Sequence, residues 1–585
     1  MPAQPKKHQH QCQIRSKIAF SAIIILLLLI ELRLFYWQVL QGDNLKTQAQ
    51  EQTVKTDTEH GSRGKIYTAD GHLLVGNQTV FSLSISKKEL EIDQLELIKQ
   101  LISILIEDPF INSQYQEDKE EALRNYLIQK IDSGSNWIQL ATKIQETTAE
   151  KIKKLDDFSQ LAVSLTPQLT RYYPEASLAA HLTGFVGKND QGQDIGYFGV
   201  EGALNEELTG DKSTNTFKGD ARGLRLAGQN LEIQELDGRD ITLTIRRDVQ
   251  HLIQQKLEKA IKKYEAKTGE IIVIEPATGK ILGLATSPHY HPGFYRNFTN
   301  ENYKNPSIAN LYEPGSTFKT LTVAAGIDAG VITPETTCTN CDGPRVIGGY
   351  TIRTWNDVYH PSINMTEALE KSDNIAMIFV AEKLGADKFS QYLKKFGIGK
   401  NIDIDLQEDT DTPFPEQIGP VELATMSFGQ GISLNSLQMV RAVNAIANQG
   451  KLMRLSVVEK VYDPQTDQTS NNEPHVVGQV ISAQTAQQVT QMMVKSAQHG
   501  EAQWIGKHYS AAGKTGTSQI PSPDGGYKED ATIASFIGFA PPDNPQYLML
   551  VKLIEPQSSP WAAETAAPLW FHTAEDLNLL LGVRD

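Results

Sequence analysis

The sequence predicts an α+β protein standing on a single N-terminal membrane helix, and three observations carry that expectation. A helix-length apolar run opens the chain, strand-like runs separated by turn residues follow it, and beyond Gly238 strand and helix patterns are mixed. The 585 residues are 40% hydrophobic and 21% charged, which is ordinary globular usage. Wholesale disorder, a collagen-like repeat and a polytopic membrane protein are therefore excluded, and the length suits three or four domains or subdomains. The formal net charge of −15 argues against binding to a phosphate backbone, so no nucleic acid partner is expected. Three cysteines rule out a disulfide-stapled scaffold but leave room for one bridge.

The anchor comes first. Residues Ile18 to Ile30 read IAFSAIIILLLLI, and after Glu31 and Arg33 the apolar character resumes through Leu40. At a rise of about 1.5 Å each, residues 18–40 make roughly 34 Å of helix, enough to cross about 30 Å of hydrocarbon. Lys6, Lys7, Arg15 and Lys17 precede the run, so residues 1–17 are expected as a cytoplasmic tail and the rest of the chain outside the membrane. Tyr36 and Trp37 suit the outer interface, and no small-residue cleavage site follows, which favours a retained single-pass anchor over a signal peptide. His8, His10 and Cys12 place three ligand types close together, but a short polar tail has nothing to fix their geometry, and a solvated tail is expected.

Residues 41–240 read as a β-rich base. Ala69-Asp70-Gly71 marks a hairpin turn between two short strand-like runs, and Leu95, Ile98, Ile102 and Leu105 follow helical spacing until Pro109. That stripe suits core packing. Residues 205–235 are rich in Gly, Thr, Asn and Asp, the composition of a long excursion or hairpin. A domain boundary is placed near Gly238. After it, residues from Ile241 read as a strand running into a helix, and GEIIVIEPATGKILGLATS reads as a β-hairpin.

Three short elements carry chemistry. In EPGSTFKTLTVAAG the Pro-Gly pair breaks the chain before an apolar helix, leaving Ser316 in the first turn and Lys319 three residues on, on the same face. A neutral Lys319 could take the proton of Ser316 as it attacks a carbonyl, and the helix N-terminus opposes charging of the lysine. A lone S-x-x-K is weak evidence: Ser84 and Lys87 also match, but in a strand pattern where residues three apart face opposite ways. The second element, Ser372-Asp373-Asn374, lies 56 residues after Ser316 between two helix-like stretches. The third is Lys514-Thr515-Gly516-Thr517, followed by two β-like runs. Its decoy, Lys267-Thr268-Gly269, precedes Ser316 and continues with Glu270, whose charge would repel an acidic substrate.

Taken in this order and at these distances, the three elements resemble the motif set of the penicillin-recognising serine transferases. ATGKILGLATSPHYHPGFY and FGQGISLNSLQMVRAVNAIANQG resemble the same catalytic domain. RLFYWQVLQGDNL, RGKIYTADGHLL, RYYPEASLAAHLTGFVG and GYFGVEGALNEELTG are similar to the pedestal of class B penicillin-binding proteins. The resemblance implies an anchor over 18–40, an elongated pedestal (dimerisation-like) domain over 41–240, a transpeptidase domain over 241–575 and a tail over 576–585. The catalytic domain would be an antiparallel sheet covered by helices, with an all-helical subdomain.

It also implies roles. Ser316 would be the nucleophile attacking a peptidoglycan stem peptide, and Lys319 its base. Ser372 and Lys514 would relay protons, while Asn374 would hold the substrate amide. Thr515, Gly516 and Thr517 would bind the substrate, the two threonines its terminal carboxylate. The backbone N–H groups of Ser316 and Thr517 would form the oxyanion hole. No cofactor and no metal are expected; β-lactams and stem peptides are the expected ligands, and a SEDS-type glycan polymerase the expected membrane partner. Division and elongation remain alternatives. So do a β-lactam hydrolase or carboxypeptidase and a silent wall-synthesis scaffold, whereas none of the acidic motifs of a glycosyltransferase appears in residues 41–240.

Three departures stand out: Asn435-Ser436 where Thr-Pro is usual, Arg454-Leu455 where Arg-Pro is usual, and Ala562-Ala563 where a Gly-Gly pair is frequent. None is expected to touch the catalytic groups. Cys338 and Cys341 form a C-x-x-C for which a disulfide, unpaired thiols and a functional pair all stay open.

Overall fold

The computed structural model describes residues 7–46, 54–89, 93–115, 118–132, 135–155, 162–210, 212–218, 237–522 and 525–583. The chain divides into two compact units, Met1–Gly61 with Asp211–Leu236, and Ser62–Gly210 with Asp237–Asp585. In the first, a helix over Lys7–Phe35 passes into one π-helical turn at Tyr36–Leu40. Its apolar part, Ile14–Leu40, is 27 residues long and fully exposed, and is long and apolar enough to cross a membrane. The helix therefore begins well inside the expected tail. The side chains of His8, His10 and Cys12 lie outside the described residues. Val54–His60 pairs antiparallel with Lys212–Lys218, so the polar excursion, which opens on the short helix Asn205–Leu208, contains a strand; its residues from 219 on lie outside the described residues.

In the second unit the hairpin at Asp70 forms as expected, joining Ile66–Tyr67 to the long strand Leu73–Ser86. The latter also pairs with Trp137–Gln145 and Val163–Tyr172. Ser84 sits in this strand, which removes the decoy. The helix Gln94–Leu105 is capped by Asp93 and buries Leu97, Ile98, Leu101, Ile102 and Leu105. Leu95 is exposed, contrary to the expected stripe, because it sits at the edge of the buried arc in the first turn. Pro109 opens a further short helix, Pro109–Asn112, at the position where its missing N–H costs nothing.

Three of the pedestal-like segments meet at one carboxylate. Glu201, fully buried, receives Arg63 at 2.6 Å and Arg171 at 2.7 Å, and Arg171 also donates to the carbonyl of Gly64 at 2.6 Å. The strand Asp240–Leu243 runs parallel to Ile66–Tyr67 on one side and antiparallel to Val458–Asp463 on the other. Residues on both sides of the expected boundary near 240 thus share one sheet.

A second large sheet has five antiparallel strands in the spatial order Ile281–Ser287, Thr268–Ile274, Tyr547–Ile554, Tyr527–Ala540, Ala512–Pro521. One face is covered by Arg247–Tyr264 and Ala566–Leu581, whose Val249, Ile253, Leu257, Trp570 and Phe571 form a continuous apolar cluster with it. The last helix runs to Leu581, so residues 576–581 are its final turns rather than a tail. On the other face lie Lys319–Asp328 and Ser436–Ala447, part of a helical layer with Asn374–Leu384. The decoy Lys267-Thr268-Gly269 opens the second strand of this sheet, Thr268–Ile274, with Lys267 exposed just before it. Glu270 there is 1% exposed and paired with Lys552, with Ser436 and Ser307 donating hydroxyl hydrogen bonds to it. Its hydrogen-bonding partners are themselves buried side chains.

Candidate active site

The turn that carries Ser316 is made by local conformation. Pro314 precedes a single 3-10 turn over Gly315–Phe318, and the helix Lys319–Asp328 continues from it. Ser316 is half-buried on that turn, while Lys319 is fully buried one turn on. Gly429, of the FGQG segment, has φ +80°, and a Cβ there would collide with the Gly315 backbone; its carbonyl accepts the Gly315 N–H at 3.0 Å. The glycine lets the loop support the turn from beneath.

Ser372 connects Met365–Glu370 to Asn374–Leu384 with φ +56°, a left-handed conformation that costs a non-glycine residue about 1–3 kcal/mol and is held here by its surroundings. Asp373 caps the following helix by accepting the Ala376 N–H at 3.0 Å, which places Asn374 in the first helical turn. The Lys319 ammonium donates to the Ser372 carbonyl at 2.6 Å, to Asn374 Oδ1 at 2.7 Å and to Ser372 Oγ at 3.2 Å. All three of its N–H donors are thereby used. Ser316 Oγ is not among its hydrogen-bond partners in the described residues. Burial, aided by the Lys514 cation, brings the pKa of Lys319 down to about 7 against the opposing carboxylates of Glu501 and Asp373. The amine is thus poised to lose its charge near neutrality.

The third wall is the edge strand Ala512–Pro521. Lys514 is buried, its pKa lowered by that burial against the Glu501 carboxylate, and it donates to the Thr515 carbonyl at 3.2 Å and hydroxyl at 3.1 Å. Gly516 permits the strand to approach the turn Gly315–Phe318: a Cβ there would come within 2.7 Å of both Thr317 Cγ2 and Ser535 Oγ. A Cβ on Gly315 would lie 3.2 Å from the Thr517 carbonyl, which sets the end of the motif against Gly315, the residue before Ser316. An edge strand leaves alternate N–H groups without a ladder partner, which is what an oxyanion acceptor requires. Gly516→Ala is expected to cost about 1–3 kcal/mol through overpacking and to slow acylation as the strand shifts off the turn; a melting curve and a labelling time course on that variant check both.

Sequence reasoning missed three groups. Glu501, half-buried after the helix Ala483–His499, accepts the Thr515 hydroxyl at 2.7 Å. The main-chain N–H of Ala562 donates to the Thr517 hydroxyl at 3.1 Å, a contact that a glycine at this position would make as well. Exposed Trp355 and Trp561 pack edge to face at 5.4 Å, joining the segment that follows Arg353, whose carbonyl accepts the Asn374 amide, to the segment before Ala562. The other departures have local uses. Asn435 caps the helix Ser436–Ala447, and Leu455, the changed residue of the Arg454-Leu455 pair, is fully buried in the core. Cys338 and Cys341 are disulfide-bonded and buried, with Cα atoms 5.8 Å apart.

The chain matches the penicillin binding protein transpeptidase domain over residues 269–571 and the penicillin-binding protein dimerisation domain over residues 58–243. It is 30% identical over 580 residues to stage V sporulation protein D of Bacillus subtilis, covering 98% of this chain and 86% of that one. With a probable peptidoglycan D,D-transpeptidase PenA of Neisseria meningitidis it shares 28% over 568 residues, covering 94% and 90%. Among solved structures it is similar in fold to penicillin binding protein 3 from Mycobacterium tuberculosis complexed with aztreonam, with TM-score 0.66, 23% identity and coverage of 90% and 98%. Penicillin binding protein 2X from Streptococcus thermophilus gives TM-score 0.69 at 22% identity, covering 89% and 80%. With both domains matched in order and a relative aligned over nearly its whole length, the chain belongs to the class B penicillin-binding proteins.

Proposed function

We propose that this chain crosslinks peptidoglycan as a serine D,D-transpeptidase, with Ser316 as the nucleophile. One convergence carries the reading: a buried lysine with a pKa near 7, one turn from a serine, touches Ser372 and Asn374, while Lys514-Thr515-Gly516-Thr517 abuts the same turn. Uncharged Lys319 takes the Ser316 proton as Oγ attacks the penultimate D-alanine carbonyl, with the oxyanion received by the N–H groups of Ser316 and Thr517. The C–N bond to terminal D-alanine breaks, and Ser372 and Lys514 relay the proton to the leaving nitrogen. An amine of a neighbouring strand then displaces Ser316 from the ester, leaving a new amide crosslink. Asn374 holds the substrate amide, and Thr515 and Thr517 face its terminal carboxylate.

The apolar helix Ile14–Leu40 and the basic residues before it support a single-pass anchor with the N-terminus cytoplasmic and the catalytic residues outside. In that setting residues 41–240 act as a pedestal for 241–575, and the lipid-embedded partner is a glycan polymerase of the SEDS type. Co-purification in mild detergent checks the partnership, and recovery without any polymerase counts against it.

Intact-mass analysis after exposure to benzylpenicillin tests the chemistry. A persistent adduct that maps to the peptide holding Ser316 is the expected result. An adduct on another residue sinks the assignment, and rapid loss of the adduct transfers the reading to a β-lactam hydrolase or carboxypeptidase.

A further inference from the structure

The Thr515 hydroxyl has one proton, and it is given to Glu501 at 2.7 Å, while Lys514 donates to the same oxygen at 3.1 Å. A hydroxyl so engaged has no proton left for a second carboxylate. Glu501 is also the same chemical group as the terminal carboxylate of a D-alanyl peptide or a penicillin. It stands near enough to both buried lysines to oppose their discharge. Nothing local in the sequence marks it: it lies just after the helix Ala483–His499, and only the turn back into the strand Ala512–Pro521 brings it to Thr515.

We propose that Glu501 is a specificity-determining residue, a resident carboxylate that competes with the carboxylate of the acyl donor for the Thr515 hydroxyl. This rests on the assignment of Ser316 and Thr515 given above. A carboxylated ligand must displace the Glu501 contact and approach its negative charge, whereas a ligand lacking that charge has less to overcome. Glu501 acts through Thr515 and takes no part in bond making.

The test compares second-order acylation by benzylpenicillin with that by its neutral methyl ester, for the parent, Glu501→Gln and Glu501→Ala. Glutamine removes the charge and keeps the shape; alanine removes the acceptor as well. Because hydrogen bonds to charged groups are among the stronger ones, the acid-to-ester rate ratio is expected to rise about tenfold in Glu501→Gln and at least as much in Glu501→Ala. A ratio that stays the same while both rates change assigns Glu501 to tuning of the lysines and overturns the competition. A lower ratio overturns it too. If alanine prevents folding, the glutamine variant decides alone. Absence of any Ser316 adduct on the parent removes the underlying site assignment together with this one, whereas an adduct with an unchanged ratio removes only this one.

Discussion

Replacing Ser316 by alanine is expected to abolish covalent penicillin uptake, and replacing Lys319 by methionine to slow it by at least about four orders of magnitude, with both proteins still folded. Residues that act as one nucleophilic unit lose nearly everything when either is removed, on the order of 10⁶ in the best-measured serine hydrolase. Lys319 adds a condition of its own. Its amine is depressed from the ordinary lysine value to about 7, so the basic form grows as pH rises through that value. Acylation of the parent should therefore climb between about pH 6 and 8 and then level, and intact-mass time courses across that range read it directly. A rate that is flat across the window would mean that another group takes the Ser316 proton. The methionine variant fills most of the lysine volume but leaves the Ser372 carbonyl and Asn374 Oδ1 without their donor, so some loss of stability accompanies the loss of rate.

The second large effect concerns stability alone. Glu201→Ala leaves Arg63 and Arg171 facing each other with no anion between them, in a site where Glu201 is wholly buried and Arg171 nearly so. Removing one partner of a buried pair costs about 3–5 kcal/mol, far more than the intact pair contributes. Denaturant unfolding should show that loss, while the fraction that stays folded takes up penicillin with the parent's stoichiometry. A change below about 1 kcal/mol would show that water reaches the arginines and replaces the carboxylate.

Much of the site was legible because its groups come in short local patterns. Ser316 with Lys319, Ser372 with Asn374, and Lys514 to Thr517 are each set by a turn or a strand a few residues long, and their order along the chain specified how they would combine. What escaped were contacts made by the path of the chain between such patterns. Glu501 reaches Thr515 only through the turn of the backbone after a helix, and Ala562 reaches Thr517 across 45 residues. No periodicity encodes either. The fold was readable in the same uneven way. The hairpin at Asp70 and the helix after Asp93 followed from turn residues and apolar spacing. The position of Leu95 at the rim of its helix face depended on where the neighbouring elements packed, and so did the final turns of the last helix.

The four-residue strand Asp240–Leu243 has a practical bearing on any shortened form of this enzyme. It is hydrogen-bonded to Ile66–Tyr67 as well as to Val458–Asp463, so a fragment starting at residue 241 would expose the raw border of a sheet to solvent and to other copies of itself. Expression trials that begin near residue 61 retain that neighbour and should remain monomeric where the shorter piece precipitates.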